Sequence, residues 1–173
     1  MVDDQERTLD ALRTALQMEV DGKAFYSRAA ASSSSELGRR LLETLAKEED
    51  IHREVFTSIY ESMRENKGWP QVSYHSDKGS NLRTVFSKAM ENRENPSSVS
   101  TEMEAVVTAR GMEAKTFDFY TSQAQAATDP AQKEFYGQLA SQEQQHNLVL
   151  ADYYEYLQNP GGWFVKKEHP NLD

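Results

Sequence analysis

Glu49-Asp50-Ile51-His52 and Glu143-Gln144-Gln145-His146 are the two stretches on which the reading of this chain turns. They lie 94 residues apart, and each follows a further glutamate thirty residues upstream, Glu19 in one half and Glu113 in the other. Tyr26 and Tyr120 keep the same offset. On a helix, Glu-x-x-His sets both side chains on one face. A single occurrence is weak evidence, because most such tetrapeptides are solvated helix surface. Here the motif occurs twice with the same partner at the same distance, and two of the four histidines of the chain fill its slots. Four carboxylates and two imidazoles make six potential ligands, which suits two metal ions and is too many for one zinc.

Working outward, each motif residue falls in a run of three- and four-residue steps, the period of a helix with one buried face. The runs are Leu12, Ala15, Glu19, Gly22, Tyr26, Ala29; Leu42, Leu45, Glu49, His52, Phe56, Ile59, Met63; Val106, Ala109, Glu113, Thr116, Tyr120; and Tyr136, Leu139, Glu143, His146, Leu150, Tyr153, Leu157. The spacing predicts helices over about residues 4 to 31, from the serine turn to 67, from 101 to 128, and from 130 to 158. Ser33 with Glu36 and Thr101 with Glu104 have the spacing of capping boxes. Asp129 is placed to cap the last helix, with Pro130 in its first turn and Gln132 completing the box.

In an antiparallel hairpin, residues at one height are equidistant from the turn. Glu19 and Glu49 are centred on residue 34, and Glu113 and Glu143 on residue 128, both in turns. Each pair therefore sits level, roughly 22 Å up its hairpin at 1.5 Å per residue. Docking two hairpins of similar length brings all four glutamates together at mid-bundle. Residues 68–100 join the hairpins, carry breaker signals at Gly68-Trp69-Pro70 and Asn95-Pro96-Ser97-Ser98, and have room for a short amphipathic helix with Leu82, Val85, Phe86, Ala89 and Met90 on one face. An extended chain of that length easily spans a bundle of about 45 Å. The expected fold is all-α: a ferritin-like four-helix bundle of two antiparallel hairpins with one long crossover. Residues 1–158 form this domain, and 159–173 form a tail whose Trp163 and Phe164 are expected to dock on the bundle or on a second subunit.

Composition removes alternatives. The 173 residues contain no cysteine, which excludes disulfides, zinc-thiolate sites and iron–sulfur clusters. A net charge of -9 disfavours nucleic acid and anionic membrane as partners. No apolar run reaches membrane-spanning length, and the acidic start does not read as a signal peptide, so a soluble, cytoplasmic protein is expected. No P-loop, nucleophile elbow or dinucleotide fingerprint occurs. A buried unpaired carboxylate costs several kcal/mol, so four facing one core need cations, and two divalent ions balance them. A mixed oxygen and nitrogen ligand set suits Fe(II) or Mn(II), and zinc can also occupy it. His75 and His169 lack helical partners at ligand spacing, and the run Lys47-Glu48-Glu49-Asp50 reads as solvated face apart from Glu49.

With these residues in place, the chain resembles the rubrerythrin-like branch of the ferritin-like di-iron carboxylate proteins, over roughly residues 5–66 and 101–158. The resemblance implies two iron ions per chain, with Glu49 and Glu143 bridging, Glu19 and Glu113 as terminal ligands, and His52 and His146 each on one iron. It implies that Tyr26 and Tyr120 donate to ligand carboxylates, the alternative being plain aromatic packing. It implies an oxidoreductase that reduces peroxide or O2 as Fe(II) becomes Fe(III), and a homodimer. A ferroxidase serving iron storage and a non-catalytic metal-binding scaffold are the other readings. Two departures stand out. Peroxide-reducing rubrerythrins carry a glutamate three residues before the third-helix ligand, where this chain has Arg110, either a cation behind the ligands or a surface arginine. They also carry a cysteine-rich electron-delivering domain, so here an external electron donor is expected.

Overall fold

The computed structural model describes residues 4–72 and 99–163. They form four long helices: α1 Asp4–Ser32, α2 Glu36–Arg64, α3 Val99–Ala126 and α4 Pro130–Gln158. Among the described residues there is no strand. Helix α1 packs along α2 and α3 along α4, while α1 also lies against α3. Helices α2 and α4 meet through side chains such as Phe56 with Phe135 and Tyr136. The architecture is the all-α, ferritin-like bundle expected from the repeat. Residues 73–98 of the segment joining the hairpins, with His75 and the short helix expected there, lie outside the described residues, as do Phe164 and His169.

The hairpins run in opposite directions. The serine turn of the first meets Glu102 at the start of α3 and Tyr153 near the end of α4. At the other end, Leu12 and Phe56 pack with Tyr120, Phe135 and Tyr136 beside the second turn. The apolar core is thus divided into two clusters. One holds Tyr26, Leu41, Leu45, Val106, Leu150, Tyr153 and Tyr156, and the other Leu12, Phe56, Ile59, Tyr120, Phe135 and Leu139. The polar residues of the motif lie between them. Trp163 closes the first cluster edge-on against Tyr156, with ring centroids 5.8 Å apart.

The helix ends correct several expectations. Ser35, not Ser33, caps α2: its backbone is extended, and its hydroxyl accepts the amide of Gly38 at 2.9 Å. Ser33 instead donates to Glu102. Thr101 does not cap α3, which begins two residues earlier at Val99. Glu102 turns inward and also accepts from the Ser34 hydroxyl at 2.9 Å and from Tyr153 at 2.5 Å. A tertiary contact thus takes the carboxylate that local patterning leaves on the surface. Helix α2 stops at Arg64 rather than 67, because Asn66 adopts a left-handed conformation (φ 59°) that asparagine tolerates. Asp129 caps α4 as expected, accepting from the amides of Ala131 and Gln132.

Candidate metal centre

The four stripes deliver Glu19, Glu49, His52, Glu113, Glu143 and His146 to one level, where none is more than 4% exposed. Their ligand atoms fall into two overlapping groups: Glu19, Glu49, His52 and Glu143, and Glu49, Glu113, Glu143 and His146. Within each group the atoms lie within 4.8 Å of one another. Glu49 and Glu143 belong to both. Each imidazole turns Nδ1 inward. His52 Nδ1 lies 3.2 Å from Glu19, 3.4 Å from Glu143 and 3.8 Å from Glu49. His146 Nδ1 lies 3.5 Å from Glu113, 3.5 Å from Glu49 and 3.8 Å from Glu143. The rings face each other across the site, 12° from parallel with centroids 6.0 Å apart.

The tyrosines cross between the halves. Tyr26 on α1 donates to Glu113 Oε1 on α3, and Tyr120 on α3 donates to Glu19 Oε1 on α1. Burial first, then the neighbouring glutamates, pushes both phenols well above their ordinary range, so they stay protonated donors. Arg110, three residues before Glu113, donates through Nε to Asn147 at 2.9 Å, its one hydrogen bond among the described residues.

Two further residues support the centre. His52 Nε2 is 2.6 Å from Gln142 Oε1, and His146 Nε2 is 2.7 Å from Glu48 Oε2. Glu48 is therefore not the solvated residue its charged neighbourhood implies. The signal lay in the repeat itself, since Glu48 and Gln142 are also 94 residues apart. Their unlike chemistry hides the match.

Electrostatics shows how the metal-free chain tolerates four buried carboxylates. Burial, then repulsion from Glu19 and Glu143, pushes Glu49 well above the carboxylate range. Burial, then repulsion from Glu113, does the same to Glu143. Burial alone would also raise Glu19 and Glu113, but the charges on His52 and His146 and neighbouring donors outweigh it and leave both low. For His146, burial opposes the charge, yet Glu113, Glu48 and Glu49 together hold its pKa well above the imidazole range. In each hairpin one carboxylate is thus pushed up and the other held down, the expected compromise for like charges at close range.

Protons do not satisfy every atom. Glu113 Oε2, Glu143 Oε1 and His146 Nδ1 are buried without a hydrogen-bond partner among the described residues. Such groups cost about 1–3 kcal/mol each. Glu113 Oε2 and His146 Nδ1 lie together on one side of the site and Glu143 Oε1 faces His52 on the other, so a divalent cation on each side would satisfy them, and four carboxylates with two imidazoles are a donor set that suits iron or manganese. The residues fit a pair of metal ions.

Comparison with curated proteins and with solved structures gives no match. The family model described as rubrerythrin matches residues 10–154, which takes in most of the first and last helices, all of the two between them and every residue of the centre. The chain belongs to the rubrerythrin family.

Proposed function

We propose that this protein is a di-iron oxidoreductase in which Glu19 and His52 would hold one iron and Glu113 and His146 the other, with Glu49 and Glu143 available to both, and that it reduces peroxide to water or dioxygen to peroxide. The observation that carries the reading is the pair of overlapping ligand groups, with buried atoms left without a hydrogen-bond partner among the described residues. When bound, two ferrous ions supply one electron each, together enough to take H2O2 to water with two protons. The protein's part is to hold charge, orient ligands and exclude solvent. Tyr26 and Tyr120 fix Glu113 and Glu19 from outside. The apolar clusters above and below the centre keep its dielectric low. With no cysteine in the chain, re-reduction falls to an external donor protein or a diffusible reductant.

The test is anaerobic Fe(II) titration of the metal-free chain, then one pulse of H2O2 followed by absorbance. Saturation near two Fe per chain with rapid oxidation is the expected result, and Glu143→Ala should abolish both. Saturation without reaction would support a metal-binding scaffold. Failure to bind Fe(II) saturably would overturn the reading.

A further inference from the structure

The residues facing the centre are matched pairwise by the repeat: Glu19 with Glu113, Glu49 with Glu143, His52 with His146, Tyr26 with Tyr120. The groups directly behind the two imidazoles break the match. His146 Nε2 meets a carboxylate, Glu48, at 2.7 Å, and His52 Nε2 meets a carboxamide, Gln142, at 2.6 Å. The geometry is otherwise parallel. In each case Nδ1 points at the glutamates, Nε2 points out, and the acceptor comes from the other hairpin, on the residue just before its Glu-x-x-His glutamate.

An imidazole that binds a cation through Nδ1 carries its proton on Nε2 and must donate it. An anionic acceptor stabilises the electron-poor ring and adds a negative charge close to the cation, whereas an amide oxygen offers only a dipole. Glu48 is largely shielded, with 18% of its side chain exposed, so solvent only partly screens that charge. Carboxylate partners of metal-bound histidines typically change metal affinity about 10–100-fold.

We propose that the two metal positions are unequal, and that the Glu113–His146 position fills first because Glu48 stands behind its histidine where Gln142 stands behind the other. The inference rests on the two-metal reading above. It makes a one-metal form, with the cation beside His146, a distinct state at limiting metal.

Co(II) titration of the metal-free full-length chain tests it, followed by calorimetry and by the paramagnetically shifted imidazole N–H signals. Repulsion between two bound cations separates the steps even for identical positions, so the variants decide. Glu48→Gln should weaken the first step about tenfold or more and leave the second unchanged. Gln142→Glu should strengthen the second step by a similar factor. The N–H signal that grows with the first equivalent should move in Glu48→Gln and hold still in Gln142→Glu. Two-cation binding whose first step ignores Glu48→Gln, or a first signal that responds only to Gln142→Glu, would overturn the inference and leave the two-metal reading standing. Absence of two-cation binding in the unaltered chain would overturn both.

Discussion

Tyr26 shows how much one atom carries in this site. Its hydroxyl is the donor to Glu113 Oε1, and nothing else in the ring distinguishes it from phenylalanine. Tyr26→Phe should keep the aromatic packing and strand a buried carboxylate oxygen. The expected loss is about 1–3 kcal/mol in urea unfolding of the metal-free protein, with metal affinity lowered about tenfold. Tyr120→Phe should do the same through Glu19. Gly38 is a residue of a different kind. A Cβ there would collide with the hydroxyls of Tyr153 and Ser33 and with the Glu102 carboxylate. Gly38→Ala should therefore destabilise by about 1–3 kcal/mol, read as a lower urea midpoint at unchanged slope, with the metal stoichiometry intact.

The helices were legible because their period and their repeat agree. Every residue of the fourth stripe, from Tyr136 to Leu157, is buried as its spacing predicts. The first stripe drifts by one position at its end, where Ala30 rather than Ala29 is buried. Helix starts were read well when the signal was local and poorly when it was not. Asp129 needs only its own following amides. The start of α3 depends on Glu102 finding Ser33, Ser34 and Tyr153 across the bundle, contacts that no window of sequence contains. Six residues of the centre were legible from pattern. Glu48 was not, because a glutamate in a charged run looks solvated until the histidine opposite is placed. Two cap variants separate these cases. Asp129→Ala should cost about 1 kcal/mol, as for an isolated cap. Ser35→Ala should cost more, since the same hydroxyl also meets Tyr153 at 3.2 Å. Thermal unfolding of the two variants side by side checks the order.

For the whole molecule, the centre sets stability against pH in opposite senses with and without metal. The pKa values of Glu49 and Glu143 are raised, so in the metal-free chain their contribution is complete below the ordinary carboxylate range and is lost as pH rises through the raised values. Those of Glu19 and Glu113 are lowered, so their contribution is present above the ordinary range and is lost as pH falls through the lowered values. Metal competes with protons for Glu49 and Glu143, whose raised pKa values favour the protonated form, so its binding should release protons and tighten with pH. As pH rises through the raised values of Glu49 and Glu143, the melting temperature of the metal-free chain should fall while the gain from added metal grows. A hundredfold excess over Kd should contribute about 2.7 kcal/mol per site. Melting curves as a function of pH, with calorimetry in buffers of different ionisation heat, check both signs. Glu143→Gln mimics the protonated form, so its metal-free stability should stay within about 1 kcal/mol of the parent while the metal-dependent gain disappears.

The crossing of supports between the halves has a consequence for assembly. Each hairpin supplies the tyrosine that steadies the other's glutamate and the acceptor that backs the other's histidine. A hairpin alone thus owns three of the six ligands but neither the tyrosine that steadies its terminal glutamate nor the acceptor that backs its histidine. The centre behaves as a lock cut across two keys: it comes into being at the docking step and reports on it. A chain severed between the hairpins should regain tight metal binding only when the two pieces are mixed, with affinity set by how well the pieces recognise each other.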